Sequence, residues 1–256
     1  SSDITDIDFH ATNPSIVYVY DNYSAGPNED YVLRSLDVGL TFSQSAQISG
    51  NNEARGYLSV SPDCPDCLYF ASTNGIWKSL DQGMNFTFLN NPPQSCLGFA
   101  VNDQDTSSMI YGYVDIEAST DGGQTFNQIT WWSLGNSNNG SGSYMDKFLY
   151  GNRYVHADLH PAKCVNGVYY IGTDGLFCSS SDHGNTWQIL NQGTGIRENY
   201  KLGVSQSNHY RSISGSQDNG TSIKHKDTWI EFYGADGMEA IIHPLNDDYM
   251  MGSVQY

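Results

Sequence analysis

Short runs in which apolar and polar residues alternate recur along the whole chain, and turn-forming residues separate them. The segment 7–19 shows the order: an apolar run, a turn containing Asn and Pro, and a second apolar run. The same order returns in the segments 57–70, 97–113, 155–172, 202–215 and 239–253. Alternation over about four to eight residues is typical of β-strands with one buried face. The pattern therefore predicts an all-β chain built from repeated strand pairs.

A second motif, Ser-x-Asp-x-Gly-x-[Thr/Asn]-[Phe/Trp], follows four of these strand pairs, and we call its copies the Asp turns. The Asp can accept hydrogen bonds from backbone N–H groups, the Gly supplies a positive φ, and the aromatic residue begins the next strand and packs between sheets. Successive Asp residues are 44, 40 and 61 positions apart. Repeats of about 40–45 residues are typical of propeller blades. The copies contain Ser35, Asp37, Gly39, Phe42; Ser79, Asp81, Gly83, Phe86; Ser119, Asp121, Gly123, Phe126; and Ser180, Asp182, Gly184, Trp187.

These repeats predict a β-propeller of four-stranded antiparallel blades, with strands A to D in chain order and the Asp turn between C and D. About five and a half blades fit into the chain, and six to eight blades would close a ring. We therefore expect one propeller domain over 1–256 that is an incomplete segment of a longer polypeptide. The expected blades are 1–50, 51–93, 94–150, 151–195, 196–236 and the partial blade 237–256.

The charge balance restricts the partners. The chain has 28 acidic and 11 basic residues, which gives a formal net charge of −17. Because phosphate backbones and anionic lipids repel such a surface, nucleic acid is not an expected partner, and no apolar run approaches the roughly 18–20 residues of a membrane span. Two explanations of the acidity stay open: solubility of a protein that works outside cells, and binding of a divalent cation such as Ca²⁺.

Five cysteines occur, and two of them form a C-P-D-C pair, Cys64 and Cys67. A zinc site would need a second pair at suitable spacing, and a redox motif would need a βαβ context; neither is visible. We predict a structural disulfide between Cys64 and Cys67 and a candidate cross-strand disulfide between Cys164 and Cys178. Cys96 is then left unpaired.

The Asp turns match the Asp-box (BNR) motif, and the chain resembles the propellers that carry it. These include bacterial sialidases, sortilin-type receptors, xyloglucan-cleaving endoglucanases and a photosystem II assembly factor. The second half, with the segments 156–160, 172–175, 216–221 and 234–237, resembles large secreted sortilin-like or sialidase-like repeat proteins that are common in Bacteroidetes. The resemblance implies export and a role at the cell surface or outside the cell, and it implies no particular reaction.

The first candidate site is the expected central channel. His156, Asp158 and His160 are spaced two apart, so on a strand they would share one face and line the channel. Asp6 and Asp8 occupy the matching positions in blade one. Carboxylates at Asp6, Asp8 and Asp158 would suit Ca²⁺. His160 also has a purely structural interpretation as the residue before the A–B turn, by analogy with two other histidines, His10 and His243.

Other candidates lie on turns and loops. Asp236 precedes strand A of the last blade, and Glu239 lies within it, so both are ligand-binding candidates. Trp131, Trp132 and Tyr144 flank a Gly/Ser/Asn-rich loop, where they could stack on a sugar ring or anchor the loop. Three dipeptides are interpreted as hairpin turns between strands B and C. They are Asn74-Gly75, Asp174-Gly175 and Asn219-Gly220.

The favoured function is a non-catalytic extracellular or cell-surface module that binds a glycan or protein partner or forms part of a surface assembly, next to further domains of the same polypeptide. The alternative is a glycoside hydrolase, xyloglucanase-like or sialidase-like, which would use carboxylates at the channel mouth, with Asp158 and Asp236 as the first candidates. A third class is a purely structural subunit of a surface filament. The carboxylates available for hydrolysis are Asp8, Asp115, Asp158, Asp174 and Asp236.

Overall fold

The computed structural model describes residues 2–23, 30–48, 55–92, 94–132, 153–191 and 197–255. The described residues up to Trp132 and from 153 to Leu190 form one compact body, unit 1, and those from Asn191 onward form a second, unit 2. Both units consist of antiparallel β-sheets whose strands follow one another in chain order. Over these ranges, no helix has the length and apolarity of a membrane span.

Unit 1 contains four four-stranded sheets, blades 1 to 4, in the part of the chain that is described. Blade 1 has β1 (Ser2–Phe9), β2 (Val17–Tyr23), β3 (Asp30–Ser35) and β4 (Ser43–Gln47). Blade 2 has β5 (Tyr57–Ser61), β6 (Cys64–Ser72), β7 (Gly75–Ser79) and β8 (Thr87–Asn90). Blade 3 has β9 (Gly98–Val101), β10 (Met109–Gly112), β11 (Ile116–Ser119) and β12 (Asn127–Gln128). Blade 4 has β13 (Leu159–Val165), β14 (Val168–Thr173), β15 (Phe177–Ser180) and β16 (Gln188–Ile189).

Unit 2 contains blade 5 and a two-stranded sheet, blade 6. Blade 5 has β17 (Asn199–Val204), β18 (Arg211–Ser216), β19 (Gly220–His225) and β20 (Thr228–Tyr233). Blade 6 has β21 (Gly237–Ile242) and β22 (Met250–Val254). The all-β class and the four-stranded antiparallel blades that the repeats predict are confirmed.

The cores of unit 1 lie between neighbouring blades. Tyr20 of blade 1 packs on Phe70 of blade 2, and the next cluster joins Tyr69 of blade 2 to Met109 of blade 3. A third cluster joins blades 3 and 4. In blades 2 and 3 the second strand is covered on both faces, which explains why the end of β6 and the whole of β10 are continuous buried runs rather than alternating ones.

The Asp turns have one hydrogen-bond pattern in all four copies. In the second copy, Ser79 Oγ donates to Asp81 Oδ1 at 2.7 Å and accepts from the Gly83 N–H at 2.9 Å. Asp81 then accepts from the backbone N–H and side-chain amide of Asn85 at 2.9 and 2.7 Å. The same bonds recur around Asp37, Asp121 and Asp182, where a Thr hydroxyl replaces the Asn amide. The carboxylates of the Asp turns therefore accept hydrogen bonds from residues of their own turn.

The aromatic residue of three Asp turns packs between blades, as expected. Trp187 is in the core cluster of blades 3 and 4, and Phe86 and Phe126 pack against the two other clusters. Each lies between its own blade and the preceding one. Phe42 is 41% exposed, because blade 1 has no preceding blade in unit 1.

Substitution of a glycine in an Asp turn, Gly184, tests how closely two blades pack. Gly184 has φ +86°, and a Cβ there would collide with Ile129 of blade 3. Gly122 has φ +75° with nothing within 4 Å of its Cβ position, so it is a matched control. We expect Gly184→Ala to lower the free energy of unfolding by about 2–4 kcal/mol, since left-handed strain and overpacking add, and Gly122→Ala by about 1 kcal/mol. Urea denaturation measures both, and equal losses would contradict the close contact.

One predicted disulfide is confirmed and the other is wrong. Cys64 and Cys67 are bonded at the start of β6. Cys164 and Cys178 are free thiols, because Cys164 lies on β13 and Cys178 on β15, and β14 runs between these strands. Cys96 is a free thiol in a buried position.

Candidate functional site

The end of each sheet opposite the Asp turns carries most of the candidate residues. Strand β7 begins at Gly75, β15 follows Asp174 and Gly175, and β19 begins at Gly220. All three dipeptides therefore lie at B–C turns, as predicted. The Asp-turn carboxylates at the other end are held inside their turns, so any ligand chemistry is expected at the B–C end.

The expected His-x-Asp-x-His face is wrong. Strand β13 begins at Leu159, so His156 and Asp158 precede it, and Asp158 has φ +62°, which is incompatible with an extended strand. The ring of His156 instead lies against Gly175, where a Cβ would come within 2.6 Å of it. The three residues therefore do not share one strand face.

His160 lies at the start of β13, and its Nε2 contacts the Asp174 carboxylate of the B–C turn. Its interpretation as the residue before an A–B turn is also wrong, because β13 continues to Val165. His10 does have that role: its Nδ1 accepts the backbone N–H groups of Thr12 and Asn13 at 3.2 and 3.1 Å. The pairing with Asp174 instead ties the first strand of blade 4 to its own B–C turn.

The first strands of the four blades of unit 1 pack side by side, β1 on β5, β5 on β9 and β9 on β13. Lys163 of β13 forms a salt bridge with Asp8 of β1 at 2.8 Å, which joins the first of these strands to the last. Residues of these four strands and of the chain beside them line an open cavity of about 220 Å³, which we call the axial pocket. Asp6, Tyr57, Phe99 and Lys163 are among the residues that line it.

Asp6 is a partly buried carboxylate that lines the axial pocket. Its Oδ2 accepts the Leu58 N–H at 2.6 Å and its Oδ1 the Ile7 N–H at 2.9 Å. Burial raises the pKa of Asp6 above its ordinary value, although the Leu58 hydrogen bond and the charge of Lys163 oppose the shift. A carboxyl group with a raised pKa that lines a cavity is a candidate for ligand binding.

The metal prediction is not supported by a ligand cluster. Among the described residues, no three His, Cys, Asp or Glu side chains come together in an arrangement that could hold an ion. Asp8 is paired with Lys163, and Asp6 accepts two backbone N–H groups. Binding of Ca²⁺ by Asp6, Asp8 and Asp158 stays a prediction.

A second polar group lies at the B–C end of blade 3. Asp115 accepts the backbone N–H of Trp132 at 2.7 Å through Oδ1 and the side-chain amide of Gln128 at 3.1 Å through Oδ2. Thr130 lies within the same group, at 3.4 Å from Oδ1. These contacts hold Trp132 in place while 40% of its surface remains exposed. Trp132 therefore has a largely exposed side chain on a backbone that is bonded to Asp115, and Asp115 also binds the side-chain amide of Gln128.

Two carboxyl groups in this part of blade 3 have raised pKa values. Burial raises the pKa of Asp115, and burial together with the charge of Asp115 raises the pKa of Glu117. Glu117 is only 9% exposed.

Trp131, in contrast to Trp132, is covered by the guanidinium of Arg153, 5.9 Å from its ring centroid.

Unit 2 contains two of the ligand-binding candidates, Asp236 and Glu239. Asp236 Oδ1 accepts the Asp218 N–H at 2.7 Å, so its carboxylate connects the entry of β21 to the B–C turn of blade 5. The pKa of Tyr200 is raised, mainly by burial and secondly by the negative charges of Asp236, Glu198 and Asp218. Glu239 is exposed on β21 and its backbone N–H donates to Ser253. Tyr144 lies outside the described residues.

Lys163 and Glu117 were missed at the level of sequence. Lys163 is one of only 11 basic residues, but it stands between the two apolar runs of blade four, where a turn was expected, so its place on β13 was not predicted. Its partner Asp8 is 155 positions away, a distance over which no sequence pattern identifies a pair. Glu117 lies on β11, two positions after Asp115 in the preceding B–C turn.

No known protein family's profile matches this chain. A xyloglucanase from Hypocrea jecorina (strain QM6a) is 32% identical over 127 residues, which is 43% of this chain and 15% of the xyloglucanase. The chain thus corresponds to a small part of that relative's length.

Solved propeller structures resemble the chain over most of its length. YCF48 from Cyanidioschyzon merolae has a TM-score of 0.50 at 14% identity, over 94% of this chain and 76% of that one. The GH74 xyloglucanase from Xanthomonas campestris has a TM-score of 0.50 at 14% identity, over 97% of this chain and 35% of that one. The WD40 repeats of RRP9 reach 0.52 at 9% identity, over 89% and 62%. At these identities the likeness shows the fold, and the chain is a β-propeller.

Proposed function

We propose that this chain is an extracellular propeller module that binds a polysaccharide through Trp132 and its polar neighbours. The observation that carries the proposal is the exposed side chain of Trp132, whose backbone N–H donates to Asp115, a carboxylate that also accepts the side-chain amide of Gln128. A sugar ring has an apolar C–H face and a polar rim, so an aromatic plane next to amide and carboxylate groups matches both. The part of a xyloglucanase that the chain resembles supports a plant-type polysaccharide as the first ligand to test.

Two further observations support export to the cell surface or the medium. The Cys64–Cys67 disulfide is a bond that persists in oxidising compartments. The four Asp turns support placement among the Asp-box repeat proteins, including the sortilin-like and sialidase-like ones. A partner protein on the same surface would be an additional ligand of such a module.

A non-catalytic function is favoured because three of the four candidate carboxylates of unit 1, all except Asp158, already have partners. Asp8 is paired with Lys163, and Asp174 with His160. Asp115 holds Trp132. A hydrolase needs one carboxyl group free to donate a proton and a second free to act as base or nucleophile.

We expect Trp132→Ala to weaken binding to xyloglucan at least tenfold, about 1.4 kcal/mol, because the apolar contact with the sugar ring is lost. Isothermal titration calorimetry with soluble xyloglucan measures the change. Trp229→Ala is the matched control, since Trp229 is also a strongly exposed tryptophan, at 56%, on β20 in unit 2. Equal binding by the Trp132→Ala variant and the unaltered chain would refute the proposed surface.

A glycoside hydrolase is the second candidate, and the 32% identity to a xyloglucanase favours it. Release of reducing ends from xyloglucan distinguishes it from the binding module. Hydrolysis that disappears in Asp158→Asn and Asp236→Asn variants would establish the hydrolase. Binding without any release of reducing ends would exclude it for this substrate.

A further inference from the structure

The lining of the axial pocket combines apolar side chains with charged ones, and these charged residues belong neither to the Asp turns nor to the core clusters. It is bounded by residues from the four inner strands, with apolar walls from Leu97, Phe99 and Pro161. The side chains with polar groups in its lining are Asp6 of β1, Tyr57 of β5, and His160 and Lys163 of β13. An apolar wall with a few convergent polar groups is the usual form of a small-molecule site.

The polar groups of the pocket keep unused hydrogen-bonding capacity. The ammonium group of Lys163 has three N–H donors, and its recorded hydrogen bond is the one to Asp8 Oδ2. Its side chain is 55% exposed. Each carboxylate oxygen of Asp6 accepts one backbone N–H and has a second lone pair. The lining of the pocket therefore contains both hydrogen-bond donors and hydrogen-bond acceptors with remaining capacity.

The charges select a neutral ligand. An anion would meet the carboxylates of Asp6 and Asp8, and a cation would compete with Lys163 for Asp8. A wholly apolar ligand would remove water from Asp6 without replacing its hydrogen bonds, which is costly. A neutral polyol satisfies both kinds of group, because each hydroxyl donates to a carboxylate and accepts from an ammonium group.

Size restricts the ligand further. The cavity of about 220 Å³ is smaller than the roughly 300–1,000 Å³ of sites for drug-sized ligands. One sugar ring fits such a volume better than a polysaccharide chain. The walls at Leu97 and Phe99 can pack against the C–H face of the ring, while its hydroxyl groups meet Asp6 and Lys163.

We propose that the axial pocket binds a single neutral sugar residue, with Lys163 as donor and Asp6 as acceptor to its hydroxyl groups. This extends the proposed function to a second site, separate from Trp132, and it does not require Trp132 to bind a polymer. The residue could be a free sugar or the end of an oligosaccharide, since both present the same hydroxyl groups.

The test uses methyl glycosides of neutral hexoses and pentoses as probes, in calorimetric titrations of the whole 256-residue chain. We expect one of them to bind in the millimolar range and Lys163→Met to weaken it at least tenfold. Lys201→Met is the matched control, because Lys201 is an exposed lysine on β17 in unit 2. Asp6→Asn provides a second variant that keeps the size of the side chain, in case Lys163→Met does not fold.

The outcomes separate this site from the proposed function. Loss of methyl glycoside binding in Lys163→Met or Asp6→Asn, with binding retained in Trp132→Ala, supports the axial pocket. A tetrasaccharide that is reduced at one end distinguishes the two sources of the ligand. If it binds more tightly than the methyl glycoside, and this binding depends on Lys163, the ligand is a chain end. If the two bind equally, the ligand is a free sugar. If no methyl glycoside binds, or if the folded variants bind as well as the unaltered chain, the axial-pocket proposal is wrong even where xyloglucan binding depends on Trp132.

Discussion

Replacing Phe70 by alanine should lower the free energy of unfolding by about 3–5 kcal/mol, the largest effect we expect from a single substitution in unit 1. The side chain of Phe70 is fully buried on β6. Its ring lies 4.6 Å from that of Tyr20 in blade 1 and 5.5 Å from that of Trp77 in its own blade. Truncation removes apolar surface from the core and leaves a cavity between two blades that packed rings cannot fill.

Phe88→Ala is the control for this prediction. Phe88 contacts the same Trp77 at 5.5 Å, but it lies on the outer strand β8 and is 49% exposed. We expect its loss to cost about 1 kcal/mol or less, since about half of its surface is already in water. Urea denaturation followed by tryptophan fluorescence and circular dichroism measures both variants. Similar losses for Phe70→Ala and Phe88→Ala would mean that the core does not lie between blades.

The blades were predictable because the interactions that define them are local. In an Asp turn, Ser79 bonds Asp81 two positions on and Gly83 four positions on, so the residue types and their spacing contain the whole geometry. The same holds for the Asn-Gly and Asp-Gly turns, where two residues determine the hairpin. Repetition of these local signals at a blade-like spacing then predicts the architecture.

The axial pocket was not predictable in the same way. The salt bridge of Asp8 and Lys163 joins residues 155 positions apart, and it exists because blades 1 and 4 approach one another through their first strands. The alternation of His156, Asp158 and His160 was misleading, because Asp158 adopts a left-handed conformation that Asp tolerates more readily than most residues do. Cys164 and Cys178 failed as a pair for a related reason: the order of three strands separates them.

Thermal stability should pass through a maximum on the acidic side of neutrality and fall steeply between about pH 4 and pH 2. Hydrogen bonds within the Asp turns lower the pKa of Asp37, Asp81 and Asp121 to about 2 each. The side chains that form these bonds are, in order, Thr41 and Ser35, Asn85 and Ser79, and Thr125 and Ser119. Each group ionises near 3.8 in the unfolded chain. The unfolded state therefore binds more protons between these values, so the stability from the Asp turns is present above about pH 4 and is lost as the pH falls.

Three carboxyl groups act in the opposite direction at higher pH. Burial raises the pKa of Asp6, Asp115 and Glu117 above their ordinary values of 3.8, 3.8 and 4.5. The folded state binds more protons than the unfolded state between each ordinary value and the raised one. Stability from these groups therefore increases as the pH falls through that range. The fall in net charge from −17 toward an isoelectric point near 4.4 reduces repulsion within the fold in the same direction.

The two branches of the profile can be separated by substitution. Melting temperatures between about pH 2 and pH 7, measured by circular dichroism at low protein concentration, give the profile. We expect Glu117→Gln to flatten the branch above about pH 4.5 and Asp121→Asn to reduce the slope of the branch below about pH 4, because each removes one linked proton. Asp227→Asn should leave both branches unchanged, since Asp227 is exposed and no hydrogen bond to its carboxylate is recorded in the described structure. A melting temperature that stays constant down to pH 2 would show that the Asp turns do not hold their charged form in the folded state. In that case the hydrogen bonds seen at Asp37, Asp81 and Asp121 would not be what stabilises the blade corners.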